Sequence, residues 1–295
     1  MKKVLLIITS LFWLALTINA TKFVNLTPMP KHITVAEGAY KLPESYSINA
    51  KHLPDSICVE AEKFVQTILK TTGCKARITS KKKADIEMSL DTNLPNEGYK
   101  LSVTKKKIQI SASTTSGFFY AFQTIKKIMP AHVMAGLNPE QAQAIIPTFQ
   151  TDKRPTIPCV EIYDEPRFWY RGFMLDCGRH FFTVDEIKHI LDGMAMYKMN
   201  YFHWHLTEDQ GWRFEVKKYP RLTSIGSVAS DCRMNDMEKG YYWLGKPYGP
   251  FFYTQEDCRE IVEYARNLHI EVIPEIDMPG HIMAALAAYP EFSCT

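Results

Sequence analysis

The sequence predicts an α/β protein in two parts: a small mixed α/β region, then a run of βα units on a parallel sheet. Three observations predict it. Beyond about residue 154 the apolar pattern runs strand, helix, strand, helix, strand, helix, which is the rhythm of βαβ units. Before that point, short alternating stretches are interspersed with two helical patterns. The 295 residues are 46% hydrophobic and 23% charged, which provides enough apolar side chain for a sizeable core and for one or two domains.

The first twenty residues stand apart. Met1-Lys2-Lys3, the apolar run Val4 to Leu16 and the ending Ile18-Asn19-Ala20 describe a signal peptide over 1–20. The run falls short of the ~20 residues that a membrane span needs, so no span is expected once it is removed. No Cys follows the cut to mark a lipoprotein. Export is therefore expected, to the periplasm, the cell surface or the medium. An exported chain can form disulfides, but its seven Cys are an odd number without CxxC or metal spacing. They read as small buried hydrophobes with at least one thiol free.

Residues 21–153 form the expected first domain. Val59 to Leu69 reads as a helix with Val59, Phe64, Val65, Ile68 and Leu69 on one face. Ile86 to Leu90, Tyr99 to Val103 and Ile108 to Ser111 read as strands, and Gly117 to Met129 as a helix with Phe118, Phe122, Ile125 and Met129 inward. Lys81-Lys82-Lys83 and Lys105-Lys106-Lys107 read as solvated turns. Ala131 to Pro147 is expected to be a surface loop or hairpin, and Arg154-Pro155-Thr156-Ile157-Pro158 a linker.

Residues 154–295 carry the βα rhythm. Phe173 to Cys177 is a strand. Thr183 caps a helix whose Glu186 completes a capping box and whose stripe is Ile187, Ile190, Leu191 and Met194. Tyr201 to Leu206 is the second strand. Thr254 caps a helix with Ile261, Val262, Ala265 and Leu268 inward, Glu271 to Asp277 is the third strand, and Pro279-Gly280 leads into a helix from about His281 to Ala288. The connection from Thr223 to Tyr253 is long for such a unit and rich in Gly, Tyr and Trp, so it is a candidate lid or rim loop.

The balance of 35 Lys and Arg against 32 Asp and Glu gives +3, and loss of Lys2 and Lys3 brings it close to neutral. Without a basic stripe there is no case for a nucleic-acid or anionic-membrane partner. Gly and Pro without a short period exclude collagen-like and low-complexity classes.

The chemistry is carried at strand ends. On the second strand Tyr201, His203 and His205 share one face, and Phe202, Trp204 and Leu206 the other. The polar face runs into Thr207, Glu208 and Asp209. On the third strand Glu271, Ile273, Glu275 and Asp277 point one way, and Val272, Pro274 and Ile276 the other. Inward acids and imidazoles must pair with each other, a ligand or water, because burying them unpaired costs too much. In barrels and open α/β sheets such groups at C-terminal strand ends form the site. Asp277 is followed by Met278-Pro279-Gly280-His281, a carboxylate and an imidazole with a rigid turn between. Asp164-Glu165 and Asp185-Glu186 do not read as catalytic pairs. Read alone, His203-x-His205 also suits the metal pair of a metal-dependent amidohydrolase or deacetylase.

Taken together, the motifs resemble a known family. Arg171-Gly172-Phe173-Met174-Leu175-Asp176, Arg179-His180-Phe181, Met194-Ala195, Lys198-Met199-Asn200, the run His203 to Arg213 (HWHLTEDQGWR) and the run Pro274 to His281 (PEIDMPGH) are similar to the opening of the catalytic barrel of glycoside hydrolase family 20, the β-N-acetylhexosaminidases. Gly117 to Thr124 (GFFYAFQT) is similar to the small α/β domain that precedes that barrel. The resemblance implies that small domain followed by about three βα units of a (β/α)8 TIM barrel. It implies removal of terminal non-reducing N-acetyl-hexosamine by a retaining mechanism in which the substrate's 2-acetamido oxygen is the nucleophile. N-acetylglucosamine- or N-acetylgalactosamine-terminated glycans would be the partners, with no cofactor and no metal.

By the same resemblance Arg171 is expected to hold sugar hydroxyls by a forked contact. Glu208, Asp277 and His281 are expected to form a charged network supporting the general acid, with Glu208, His281 and Asp209 also on the substrate. The family's catalytic Asp-Glu pair, in a His-x-Gly-Gly-Asp-Glu motif, does not occur in these residues. Roughly 140 residues follow Pro155, against ~250 in a complete barrel. The expectation is a fragment with the pair encoded beyond Thr295, inactive and aggregation-prone by itself. A carbohydrate-binding protein that lacks catalysis is the remaining alternative.

Overall fold

The structure is a computed structural model that describes residues 26–148, 154–236 and 240–294, together with 24 and 238. The expected signal peptide, 1–20, lies outside the described residues. The chain divides into two compact units, Met1–Arg167 and Phe168–Thr295.

The first unit is a seven-stranded mixed sheet with helices on one face. Its elements are β1 (His32–Lys41), β2 (Ser45–Ile48), α1 (Asp55–Thr72), β3 (Lys75–Ile78), β4 (Ile86–Leu90), β5 (Tyr99–Val103), β6 (Ile108–Ala112), α2 (Thr115–Ile128), α3 (Ala131–Met134), α4 (Pro139–Ile145) and β7 (Thr156–Asp164), with sheet order β1-β7-β5-β6-β4-β2-β3. Ile48, Ile86, Met88, Leu101, Ile108 and Ile110 alternate onto the face that α1 and α2 cover with Phe64, Ile68, Phe118, Phe122 and Ile125. Phe64 and Phe122 stack there with centroids 4.5 Å apart.

Three expectations for this unit are corrected. Val59 and Leu69 are 45% and 37% exposed, because α1 buries the stripe Ile57, Ala61, Phe64, Val65 and Ile68 instead. The segment expected as a loop folds into α3 and α4, the latter started by a capping box between Asn138 and Gln141 with Pro139 in its first turn. The expected linker at 154–158 begins β7, so the first domain extends past residue 153 to 167. Pro158 is tolerated because β5 pairs only with Val160 to Asp164, and opposite Pro158 on the other side β1 has an irregularity between Val35 and Ala39.

The second unit holds a parallel sheet in the order β14-β9-β8, made of β8 (Gly172–Asp176), β9 (Tyr201–His205) and β14 (Glu271–Glu275). Helix α5 (Val184–Met196) links the first pair of strands and α7 (Gln255–Asn267) leads to the last, each opened by the capping box read from the sequence, Thr183 with Glu186 and Thr254 with Asp257. Phe202, Trp204 and Leu206 are buried on the helix side with Ile187, Leu191, Ile261 and Ala265. Between β9 and α7 lie the tight pair β10 (Thr207–Glu208) and β11 (Gly211–Trp212), α6 (Arg221–Ser224) and a hairpin of β12 (Arg233–Asp236) and β13 (Gly240–Trp243). After β14 comes α8 (Met283–Ala288), whose Ala284 and Ala288 pack on Trp212 and Leu222.

All seven cysteines are unbridged. No helix among the described residues is long and apolar enough to cross a membrane.

Candidate active site

The site is built where β8, β9 and β14 end. Parallel register brings Asp176 and Glu275 to either side of His205, and Met174 and Ile273 to either side of His203. Leu206 then carries the chain from β9 into β10–β11, whose hairpin fixes Glu208 and has Asp209 in its turn.

Glu208 is the centre. It is 2% exposed, and its carboxylate accepts from the Asp209 N–H at 2.8 Å, from His281 Nδ1 at 3.0 Å and from Arg179 Nη2. Arg179 also donates from Nη1 to Asp176 at 2.5 Å. His205 Nε2 meets Asp277 at 3.1 Å, while its Nδ1 lies 3.7 Å from Asp176. The result is a row in which carboxylates alternate with imidazoles and a guanidinium: Asp277, His205, Asp176, Arg179, Glu208, His281. Burial pulls the Arg179 guanidinium down, but Asp176, Glu208 and Asp277 outweigh it and hold that group above its ordinary value. A second pair, His203 Nε2 with Glu275 at 2.5 Å, lies on the same face.

Backbone features hold this geometry. The Asp277 N–H donates to Thr207 Oγ1 at 2.9 Å, and Leu206 N–H to the Glu275 carbonyl at 3.1 Å. His281 adopts φ +54° after the Pro279-Gly280 turn. Gly178 lets β8's exit pass against Glu208, since a Cβ there would lie 2.7 Å from the Glu208 Cβ. Gly178→Ala is therefore expected to displace Glu208 and lower stability by about 1–3 kcal/mol, to be read from urea unfolding.

Of the residues expected from the sequence, Glu208, Asp277 and His281 come together through this row. Asp209 lies at its rim, 4.0 Å from His281 and accepting from the Met283 N–H at 3.1 Å where α8 begins. Arg171 does not join them. It precedes β8 at the other end of the strand, with Nε on the Lys198 carbonyl at 2.7 Å and Nη1 on the Phe168 carbonyl at 2.8 Å. The guanidinium beside Glu208 is that of Arg179, while Arg171 ties backbone segments together. Asp176 and Glu275 were also missed as site residues, although each ends a strand on the polar face.

The row borders an open cavity of about 460 Å³ whose walls include Arg179, His205, Glu208, Asp277 and His281. Two groups of side chains here could converge on a metal ion, His205 with Glu208 and Asp277, and Glu208 with Asp209 and His281. Neither contains both His203 and His205, which face different carboxylates. Glu208, common to both groups, already holds a guanidinium. The donor set therefore suits hydrogen bonding to a polyhydroxylated ligand better than an amidohydrolase metal pair.

A short connection behind the site fixes the long β9–α7 connection. Arg213 is fully buried and donates to four carbonyls: Nε to Cys177 at 3.1 Å, Nη2 to Gly178 at 3.0 Å, and Nη1 to Ser227 at 2.7 Å and Phe251 at 3.0 Å. Burial lowers its pKa from the ordinary arginine value.

Comparison with known proteins gives consistent matches. The family model described as glycosyl hydrolase family 20, catalytic domain, matches residues 168–295, and that described as glycosyl hydrolase family 20, domain 2, matches residues 24–165. A beta-hexosaminidase of Porphyromonas gingivalis is 40% identical over 92% of this chain and 32% of its own length. A beta-hexosaminidase of Vibrio furnissii is 35% identical over 91% of this chain and 40% of its own. The crystal structure of Streptomyces plicatus N-acetyl-beta-hexosaminidase in complex with Thio-NAglucal superposes with a TM-score of 0.77 at 30% identity, covering 94% of this chain and 50% of that one. A GH20 exo beta-N-acetylglucosaminidase from Vibrio harveyi, in complex with N-acetylglucosamine, gives a TM-score of 0.73 at 31% identity and covers 90% of this chain and 38% of that one. The chain thus spans 32–40% of the length of these two curated relatives.

Proposed function

Because the chain belongs to glycosyl hydrolase family 20, with a domain 2 and the start of its catalytic TIM barrel, we propose that it forms the sugar-binding rim of a β-N-acetylhexosaminidase. The substrate class is glycans ending in N-acetylglucosamine or N-acetylgalactosamine. The observation that carries this reading is Glu208, buried between Arg179 and His281 on the wall of an open polar cavity.

A buried carboxylate and a forked guanidinium side by side suit vicinal hydroxyls, one accepting and the other donating. Arg179 and Glu208 hold the terminal ring, and Asp209 adds an acceptor at the rim. His281 and Asp277, with His205 beside it, set the charge around the group that protonates the leaving oxygen. The nucleophile is the substrate's own acetamido oxygen, so fixing the ring supplies much of the rate by proximity. Hydrolysis also needs a general acid, and these residues contain no Gly-Gly-Asp-Glu motif. The activity is therefore proposed for a polypeptide that joins such a pair to this rim, with the 295-residue chain alone binding sugar without cleaving it.

Two measurements test this. Titration of the 295-residue chain with N-acetylglucosamine is expected to give saturable binding that glucose does not reproduce; absence of binding would overturn the reading. A chromogenic N-acetylglucosaminide is expected to stay intact with this chain, and turnover would refute the argument that the acid lies elsewhere.

We also propose that the protein is exported, on the strength of the basic start and apolar run in 1–20. N-terminal sequencing of the mature protein is expected to begin at Thr21, and a retained Met1 would contradict it.

A further inference from the structure

The β12–β13 hairpin is an aromatic arm rooted in the wall of the site. Its register places Arg233 opposite Trp243 and Asn235 opposite Tyr241, so Trp243 and Tyr241 share one face with Arg233. They are 67% and 69% exposed, and Tyr242 on the other face is 41% exposed. The Arg233 guanidinium lies over the Tyr241 ring at 4.5 Å.

The arm's root is held firmly. Asp231 Oδ1 accepts from the N–H groups of Cys232 at 2.7 Å and Gly245 at 2.9 Å, and Leu244 N–H donates to the Cys232 carbonyl at 2.9 Å. Below that, Ala229 and Tyr248 exchange backbone bonds at 3.0 and 2.9 Å. The root also touches the catalytic wall: His180 Nε2 donates to the Arg233 carbonyl at 2.9 Å, and Cys232 Sγ lies 3.8 Å from the Arg179 carbonyl. One residue, Arg179, therefore has its backbone against the arm and its guanidinium in the cavity.

We propose that this arm is a binding platform for the sugar rings that follow the terminal residue of the glycan. The proposal rests on the reading that the cavity takes a terminal N-acetyl-hexosamine, and it adds how the rest of the chain is recognised. Flat aromatic rings with polar edges match pyranose rings, whose C–H faces are apolar and whose rims carry hydroxyls. Arg233 brings forked donors to the same face, which suits those hydroxyls. Two large aromatic side chains left in water, on an arm whose root touches Arg179 and His180, form an apolar surface that a glycan leaving the cavity can cover.

Calorimetric titration of the 295-residue chain with N-acetylglucosamine and with its β-1,4-linked tetramer separates the two ideas. The tetramer is expected to bind about tenfold more tightly than the monosaccharide, the gain of one or two aromatic contacts. Tyr241→Ala with Trp243→Ala is expected to remove that advantage and leave monosaccharide affinity unchanged, which also reports that the fold is intact. Trp243→Phe is expected to retain most of it. Equal affinity for both sugars in the parent chain, or a tetramer advantage that survives the double substitution, would overturn the platform while leaving the cavity reading standing. Failure to bind the monosaccharide would instead overturn the cavity reading, and binding of neither sugar would overturn both. If the parent chain proved dimeric and the double variant monomeric, with glycan affinities unchanged, the arm would be a surface between copies and the proposal would likewise be overturned.

Discussion

Arg213→Met is expected to lower the unfolding free energy by about 3 kcal/mol and to open the 223–253 connection to proteolysis. Two opposing effects decide the sign. Removing a buried cation relieves a desolvation penalty, the same effect that lowers this guanidinium's pKa. Against that, the carbonyls of Cys177, Gly178 and Phe251 lose the Arg213 donor, while that of Ser227 keeps the Phe251 N–H and loses one of two donors. Each orphaned buried acceptor costs about 1–3 kcal/mol, so three outweigh the relief. Methionine fills much of the volume, so the loss reports the hydrogen bonds rather than a cavity. Arg213→Lys is expected to recover only part of the stability, because an ammonium cannot span carbonyls from three directions with a planar fork. Urea midpoints measure the effect, and a loss below about 1 kcal/mol would show that the four bonds contribute little net stability.

Arg179→Ala is expected to weaken N-acetylglucosamine binding about a hundredfold, whereas Arg171→Ala leaves it within about twofold, on the arithmetic of one or two charge-assisted hydrogen bonds. Arg179 stands between Asp176 and Glu208 on the cavity wall, while Arg171 is tied to the Lys198 and Phe168 carbonyls. Five strand residues at ~3.3 Å each, or about 16 Å, separate the two ends of β8. Arg171→Ala is expected to act through stability instead, as a lowered melting temperature with sugar affinity retained. If Arg171→Ala abolishes binding in a folded protein, the assignment of the two arginines is reversed.

Those two arginines also show what the sequence could convey. The motif around residues 171–181 contains both, and the resemblance points to Arg171 as the one that reaches the sugar. Strand direction favours Arg179 instead, because a residue before β8 lies at the opposite end of the strand from Glu208 and Asp277. Alternation along Tyr201 to Leu206 was readable, since its period of two separates His203 and His205 from Phe202 and Trp204 without tertiary information. The caps at Thr183 and Thr254 were readable for the same reason, being local hydrogen bonds between residues three apart. Strand β7 was not, because Pro155 and Pro158 carry a turn signal locally and are tolerated only through where β5 and β1 pair. The ion pair of Arg179 with Glu208 was likewise invisible, joining residues from different strand ends.

The two sheets differ in the order in which a growing chain can assemble them. Strands β8, β9 and β14 lie side by side in the order in which they are synthesised, so each new one meets the edge its predecessor has just offered. The first sheet cannot grow that way, because β7 slots between β1 and β5 after every other strand has been made. A ribosome delivering some 5–20 residues each second therefore leaves β1 waiting for several seconds, over more than a hundred residues of translation, before its only neighbour arrives. The late strand thus acts as a clasp, shut just as the nascent barrel begins to emerge.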